Sequence, residues 1–276
     1  MAITLSHYSA LDVVRSLRME GECIAEMTRI ALVPPTPFLG KRWTVRVFGN
    51  EYWRWQRPTK TAPLHVLVPH GRKRIRMDTV VSHVCSKDLP ASSIVWLDEF
   101  SSIASPELLF VQMASELDVP SLVLLGHELC GHFTMPDRRN ANRKAVTQIP
   151  SVTSVGQIGA YLDGVPKAWG VKRARRALSY VSDHAVSLPE AVLSTMYGLP
   201  SDLDGYGLGE VTLNERVDVT EEDDERPHVR YPDLLFSFAP VGINYDGEDH
   251  LDLRGIALAA RDAGVCGRRG ARKTTG

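Results

Sequence analysis

Cysteine is scarce in this sequence: Cys23, Cys85, Cys130 and Cys266 are scattered and form no CxxC pair. That excludes a disulfide scaffold or a zinc finger and leaves four reduced thiols, expected to be mostly buried. Net charge is lacking too. With 32 basic and 33 acidic residues the chain carries -1, so any preference for a polyanion must be local. No window approaches the ~18 consecutive apolar residues of a membrane span. The opening MAITLSHYSALDVVRSLR has neither the basic start nor the unbroken apolar stretch of a secretion signal, and the expectation is a soluble, cytoplasmic protein with no membrane partner. No internal repeat is present. What remains is 43% apolar residues spread over 276 positions, enough for one large domain or two modest ones, and two are expected.

The local grammar is that of an α/β (α+β) protein. Residues 9–18 read as a short helix with Ser9 placed to cap it and Leu11, Val14 and Leu17 on one face. The Pro-rich VPPTP at 33–37 then stops regular structure. WTVRVF, LHVLVP and SSIVWL between 43 and 97 predict a small sheet. Ser105-Pro106-Glu107 is a cap with proline in the first turn, and it opens the helix ELLFVQMASEL. VPSLVLLGHELCGHF repeats that pattern, giving a helical hairpin on the sheet. A polar, poorly periodic stretch at 136–153 marks a border between an N-terminal module, 1–140, and a C-terminal domain, 150–276. In the latter a helix pair ends in VKRARRALSYV, whose four basic residues face solvent if Val171, Ala174 and Leu178 face inward. Ser187-Leu188-Pro189-Glu190 has the spacing of a capping box. A β-type run at 209–219, an acidic loop TEEDDE, strands around LLFSF and VGINY and a last helix from about His250 complete the pattern.

Three constellations bear on chemistry. Gly126-His127-Glu128-Leu129-Cys130-Gly131-His132 resembles the zinc-binding His-Glu-x-x-His helix, but its histidines are five residues apart, not four, and cannot share one helical face. The bland reading is a helix C-terminus with His132 at the negative dipole end and Cys130 in the core. Between Lys41 and Arg76, ten basic residues accompany a single acid, Glu51, and alternate with Trp43, Phe48, Tyr52, Trp53 and Trp55. Basic side chains neutralise phosphates and aromatic rings stack on bases, so Arg54, Arg57, Lys60, Arg72, Lys73 and Arg74 are candidate nucleic-acid contacts. The same aromatics would equally serve as core, and Arg72-Lys73-Arg74 as a solvated turn. Lastly, Asp233 opens one strand and a second ends in Asn244-Tyr245-Asp246-Gly247. Alternation puts Asn244 and Asp246 on one face, where oxygen ligands from adjacent strands would suit Mg²⁺. Asp-Gly is also an ordinary turn.

The stretch containing Ser187-x-x-Glu190, Pro232-Asp233-Leu234-Leu235, Ile243-Asn244-Tyr245-Asp246-Gly247 and His250 resembles the very-short-patch-repair-like branch of the PD-(D/E)xK nuclease superfamily. Residues 64–132 are similar in order and texture to proteins related to abortive-infection antitoxins of the AbiEi type. The resemblance implies an antitoxin-like module of small sheet plus helices, followed by a restriction-endonuclease-like mixed sheet flanked by helices and cut short at its C-terminus. It implies a bacterial DNA-directed protein, Asp233, Asp246 and Glu190 as catalytic acids, and Asp233, Asp246 and Asn244 as ligands of Mg²⁺. Asn244 stands where the family has glutamate, and the lysine of the superfamily pattern is missing. The alternative implied is a catalytically inactive antitoxin or transcriptional regulator that binds DNA or a protein partner such as a cognate toxin.

Overall fold

Aliphatic runs occupy the middle of a six-stranded sheet. The computed structural model describes residues 3–30, 58–68, 70–85, 89–90, 92–98, 101–137, 142–165, 170–219, 228–239 and 241–245. The sheet contains β1 (Ile3–Leu5), β2 (Arg29–Ile30), β3 (Leu64–Val68), β4 (Val80–Val84), β5 (Ile94–Trp96) and β6 (Ser101–Ala104), in the order β2-β5-β6-β1-β3-β4. It is mixed: β1 runs parallel to β6 and antiparallel to β3, while β3 runs parallel to β4. Every residue of β1, β3 and β6 is buried, as expected for strands covered on both faces. β4, at an edge, is only partly covered and carries His83.

Helix α1 (His7–Met19) packs on β3 and β6. Its start corrects the expected cap. The N-cap position is Ser6, which makes no side-chain cap bond, whereas the Ser9 hydroxyl oxygen accepts the backbone N–H of His65 at 2.9 Å. A tertiary bond to β3 has claimed the residue that local pattern assigned to the helix end. Helices α2 (Pro106–Met113) and α3 (Val119–Cys130) form the expected hairpin, and their caps are made by side chains: Ser105 accepts from Leu108 N–H and Asp118 from Ser121 N–H. Cys130 is buried, with its thiol pushed up by burial and then by Asp183; Cys23 and Cys85 are half-buried.

α4 (Val155–Gly164) and α5 (Val171–Leu178) pack against α2 and α3, so one apolar core runs from Ile3 and Leu5 through Phe110 and Leu122 to Ile158, Ala174, Ala177 and Val181. The described parts of the polar stretch, 136–137 and 142–153, lie inside this arrangement. β7 (Phe133–Thr134) pairs with β8 (Val146–Thr147), and Val152 N–H reaches Leu129 O at 3.1 Å. A second, smaller core, Phe133, Ala185, Ala191, Val211, Leu213, Leu234 and Phe236, follows Val181 in the chain apart from Phe133. Here α6 (Leu188–Gly198) covers an antiparallel sheet of β9 (Val211–Leu213), β12 (Leu234–Phe236) and β13 (Val241–Ile243), ordered β13-β12-β9. β10 (Val217–Val219) and β11 (His228–Arg230) form a separate ribbon. The molecule is mixed α/β, and its mixed sheet is the N-terminal one.

The four basic residues of α5 do face outward, but three of them hold other elements together. Arg173 donates to Ala114 O and Leu117 O beyond the end of α2, Arg175 donates to Leu162 O and Asp163, and Arg176 pairs with Asp202. Cations placed against exposed carbonyls at helix ends are favourable.

Candidate functional site

The strands that flank Asp233 and Asn244 are adjacent. Leu234 faces Ile243 across the β12–β13 ladder, which brings Asp233 next to Asn244. Asp233 N–H donates to Asn244 Oδ1 at 3.3 Å, and Asp233 Oδ2 accepts Tyr245 N–H at 2.6 Å. Each side chain thus closes the backbone of the partner strand's end. Glu190 reaches the same region through a residue that sequence reasoning passed over, Asn214, which sits in the left-handed region with φ 51°. Asn214 Nδ2 donates to Glu190 Oε2 at 2.7 Å and to His184 O at 3.0 Å, while its backbone N–H reaches Asp233 O at 3.3 Å. A residue three positions before a hairpin-like ribbon carries no composition signal, so only the fold reveals it.

Glu190 itself completes the capping box. Its Oε1 accepts the Ser187 hydroxyl at 2.7 Å, its Oε2 accepts Val186 N–H at 3.0 Å, and Ser187 Oγ accepts Glu190 N–H in return. Both carboxylate oxygens are engaged in a buried position. Mg²⁺ takes one or two carboxylates together with water; here both oxygens of Glu190 and Oδ2 of Asp233 are directed at N–H and O–H groups of the chain. Asp246 and His250 lie outside the described residues. Glu190→Ala is expected to lower stability by about 1–2 kcal/mol, the cost of a lost cap and an unpaired buried donor. A urea midpoint unchanged within error would show that the box carries no weight.

Of the candidate nucleic-acid contacts, Arg54 and Arg57 lie outside the described residues. Lys60 is exposed and pairs with Asp78 at 2.7 Å, a contact worth little in water. Arg72 and Lys73 belong to a single 3₁₀ turn, Gly71–Lys73, directly after β3, and Arg74 and Arg76 follow. All four are exposed and none has an ion-pair partner among the described residues. Beside the turn, His70, Gly71 and Arg72 line a shallow depression.

Next to this turn lies a cluster that sequence reasoning did not single out. His7 from the start of α1, His65 from β3 and His83 from β4 converge. The His7 and His83 rings stack with centroids 3.5 Å apart, and His65 Nδ1 is hydrogen-bonded to His83 Nε2 at 2.9 Å. Tyr8 meets His65 edge-on. His7 has φ 48°, a strained conformation for a residue with a side chain, and its N–H is held by Gln112 Oε1 at 3.1 Å. Glu116, just past α2, brings a carboxylate to the same place: one donor atom each from His7, His83 and Glu116 lie within 4.8 Å of one another. Burial, then His83 and His65, push the His7 imidazole down to about 2; burial, then Arg74, push His83 down to about 4. Both rings are therefore neutral at ordinary pH.

The His-Glu-x-x-x-His stretch is structural. Glu128 forms a two-pronged ion pair with Arg15 of α1, at 2.9 and 2.6 Å, and His127 is fully buried against Ser182. His132 lies beyond the helix end, stacked on His184. Comparison with protein-family models, with curated proteins and with solved structures finds no match to this chain.

Proposed function

We propose that the protein binds nucleic acid, with DNA as the first ligand to test, and that its nuclease-like strands act as a platform that does not cleave. The observation that carries the binding half is the exposed turn with Arg72, Lys73, Arg74 and Arg76, four cations in five positions without an acidic partner among the described residues. On a chain of net charge -1, such a turn is a local field suited to phosphates. The engagement of Glu190 and Asp233 by backbone and side-chain donors supports the non-cleaving half. An antitoxin or regulator is the kind of protein this describes.

The test is binding of a labelled DNA duplex across a salt series, with Mg²⁺ cleavage assayed in parallel. Binding is expected to weaken steeply with salt. Arg72→Ala/Lys73→Ala/Arg74→Ala is expected to lower the salt slope by about 2–3 and the affinity about tenfold or more. No salt-dependent binding would end the reading. Mg²⁺-dependent nicking abolished by Asp233→Ala would overturn the non-cleaving half and establish the endonuclease instead.

A further inference from the structure

We propose that His7, His83 and Glu116 form a binding site for one divalent transition-metal ion, zinc being the ion that the donor set suits. The inference does not rest on the nucleic-acid reading: its ligands come from the other side of the chain's chemistry, three side chains that neither the basic turn nor the nuclease-like strands use.

The donors have the right identity. Two imidazole nitrogens and a carboxylate oxygen are a set that holds zinc at catalytic centres, where a fourth position stays open, and imidazole discriminates against Mg²⁺ and Ca²⁺, which want oxygen. They also have nearly the right spacing. Tetrahedral ligands at ~2.0–2.1 Å from zinc lie about 3.3 Å apart; the His7 and His83 rings lie face to face, so they must turn out of the stack to aim one nitrogen each at a shared ion. All three donor atoms already fall within 4.8 Å of one another, so side-chain rotations of the two rings and of the exposed Glu116 are what the set needs to close.

A second, independent observation is the state of His7. The residue is only 6% exposed, and its Nδ1 is buried with no hydrogen-bond partner among the described residues. A buried polar nitrogen without a partner is costly, and here the backbone is strained at the same residue and fixed by Gln112. An ion on that nitrogen removes the cost and gives the strain a purpose. His65 adds the outer contact that metal-binding imidazoles habitually have, gripping the His83 ring through its second nitrogen pair. Glu116 supplies the negative charge of the donor set.

The experiment is zinc titration of the full-length chain after stripping with a chelator, read by calorimetry, with Co²⁺ absorption reporting the coordination. The expected result is one zinc per chain, not displaced by millimolar Mg²⁺, with tetrahedral Co²⁺ bands. His83→Ala and Glu116→Gln are each expected to weaken binding at least about 100-fold, more than the loss typical of outer-shell changes. His132→Ala should leave it unchanged. Glu116 is exposed, so its variant folds normally and keeps the test decisive if His83→Ala does not. Absence of saturable zinc binding, binding indifferent to Glu116→Gln, or binding lost with His132→Ala instead would each overturn the site.

Discussion

Glu128→Ala is expected to destabilise the protein by about 3–5 kcal/mol, a large fraction of the stability of an ordinary domain. Glu128 is 2% exposed. It answers Arg15 Nε and Nη2 with its two oxygens, and Oε1 also accepts the Thr134 hydroxyl at 3.1 Å and Met135 N–H at 2.9 Å. The residue thus ties α1, α3 and the end of β7 to one carboxylate. Truncating it leaves a mostly buried guanidinium and two donors without an acceptor, which costs far more than the ion pair itself contributes. Arg15→Leu/Glu128→Leu should recover part of the loss, since neither member of the pair is then left without the other. Chemical denaturation reads both. A single variant within about 1 kcal/mol of the parent would mean that water reaches Arg15 and that the pair is not the clamp described here.

Acid is expected to remove about 3 kcal/mol through His127 alone, an upper figure for one depressed imidazole. His127 is fully buried; its Nδ1 lies 3.1 Å from Ser182 O, and its Nε2 has no partner among the described residues. Burial pushes it down to about 4 from an ordinary value of 6.5, against a smaller upward effect of the Ser182 backbone. Between these two values the unfolded chain holds the proton and the native chain does not. Its stabilising contribution is therefore complete above pH 6.5 and is lost as pH falls toward about 4. Urea midpoints at pH 7.5, 6, 5 and about 4 measure the slope, and His127→Asn should flatten it. A variant as acid-sensitive as the parent would assign the effect to His7 and His83 instead.

The elements that local pattern could reach are the ones governed by local physics. Ser105 and Ser187 cap their helices because the bond they make spans three residues, and such a bond is written in spacing. Strands β12 and β13 could be placed side by side because period-two alternation and a short connection leave little choice of register, and Asp233 meets Asn244 accordingly. Ser9 misled for the opposite reason. Its hydroxyl was free to cap α1, but His65 N–H from a distant strand took it. Asn214 was invisible because its value lies in three partners from three segments.

Composition and periodicity by themselves determined the mixed α/β class, the helical hairpin, the capped helix ends, the basic turn at 71–74 and the absence of any helix long and apolar enough to cross a membrane among the described residues. Each is set by neighbours within a few positions, where propensity and spacing act. The tertiary structure alone decided what the charged and titratable side chains do: that Glu128 faces Arg15, that Glu190 turns back on its own helix end, and that His7, His83 and Glu116 share one place. Those meetings depend on which strand lies beside which in the sheet, and no short-range pattern encodes a contact between residues that only a crossover brings together.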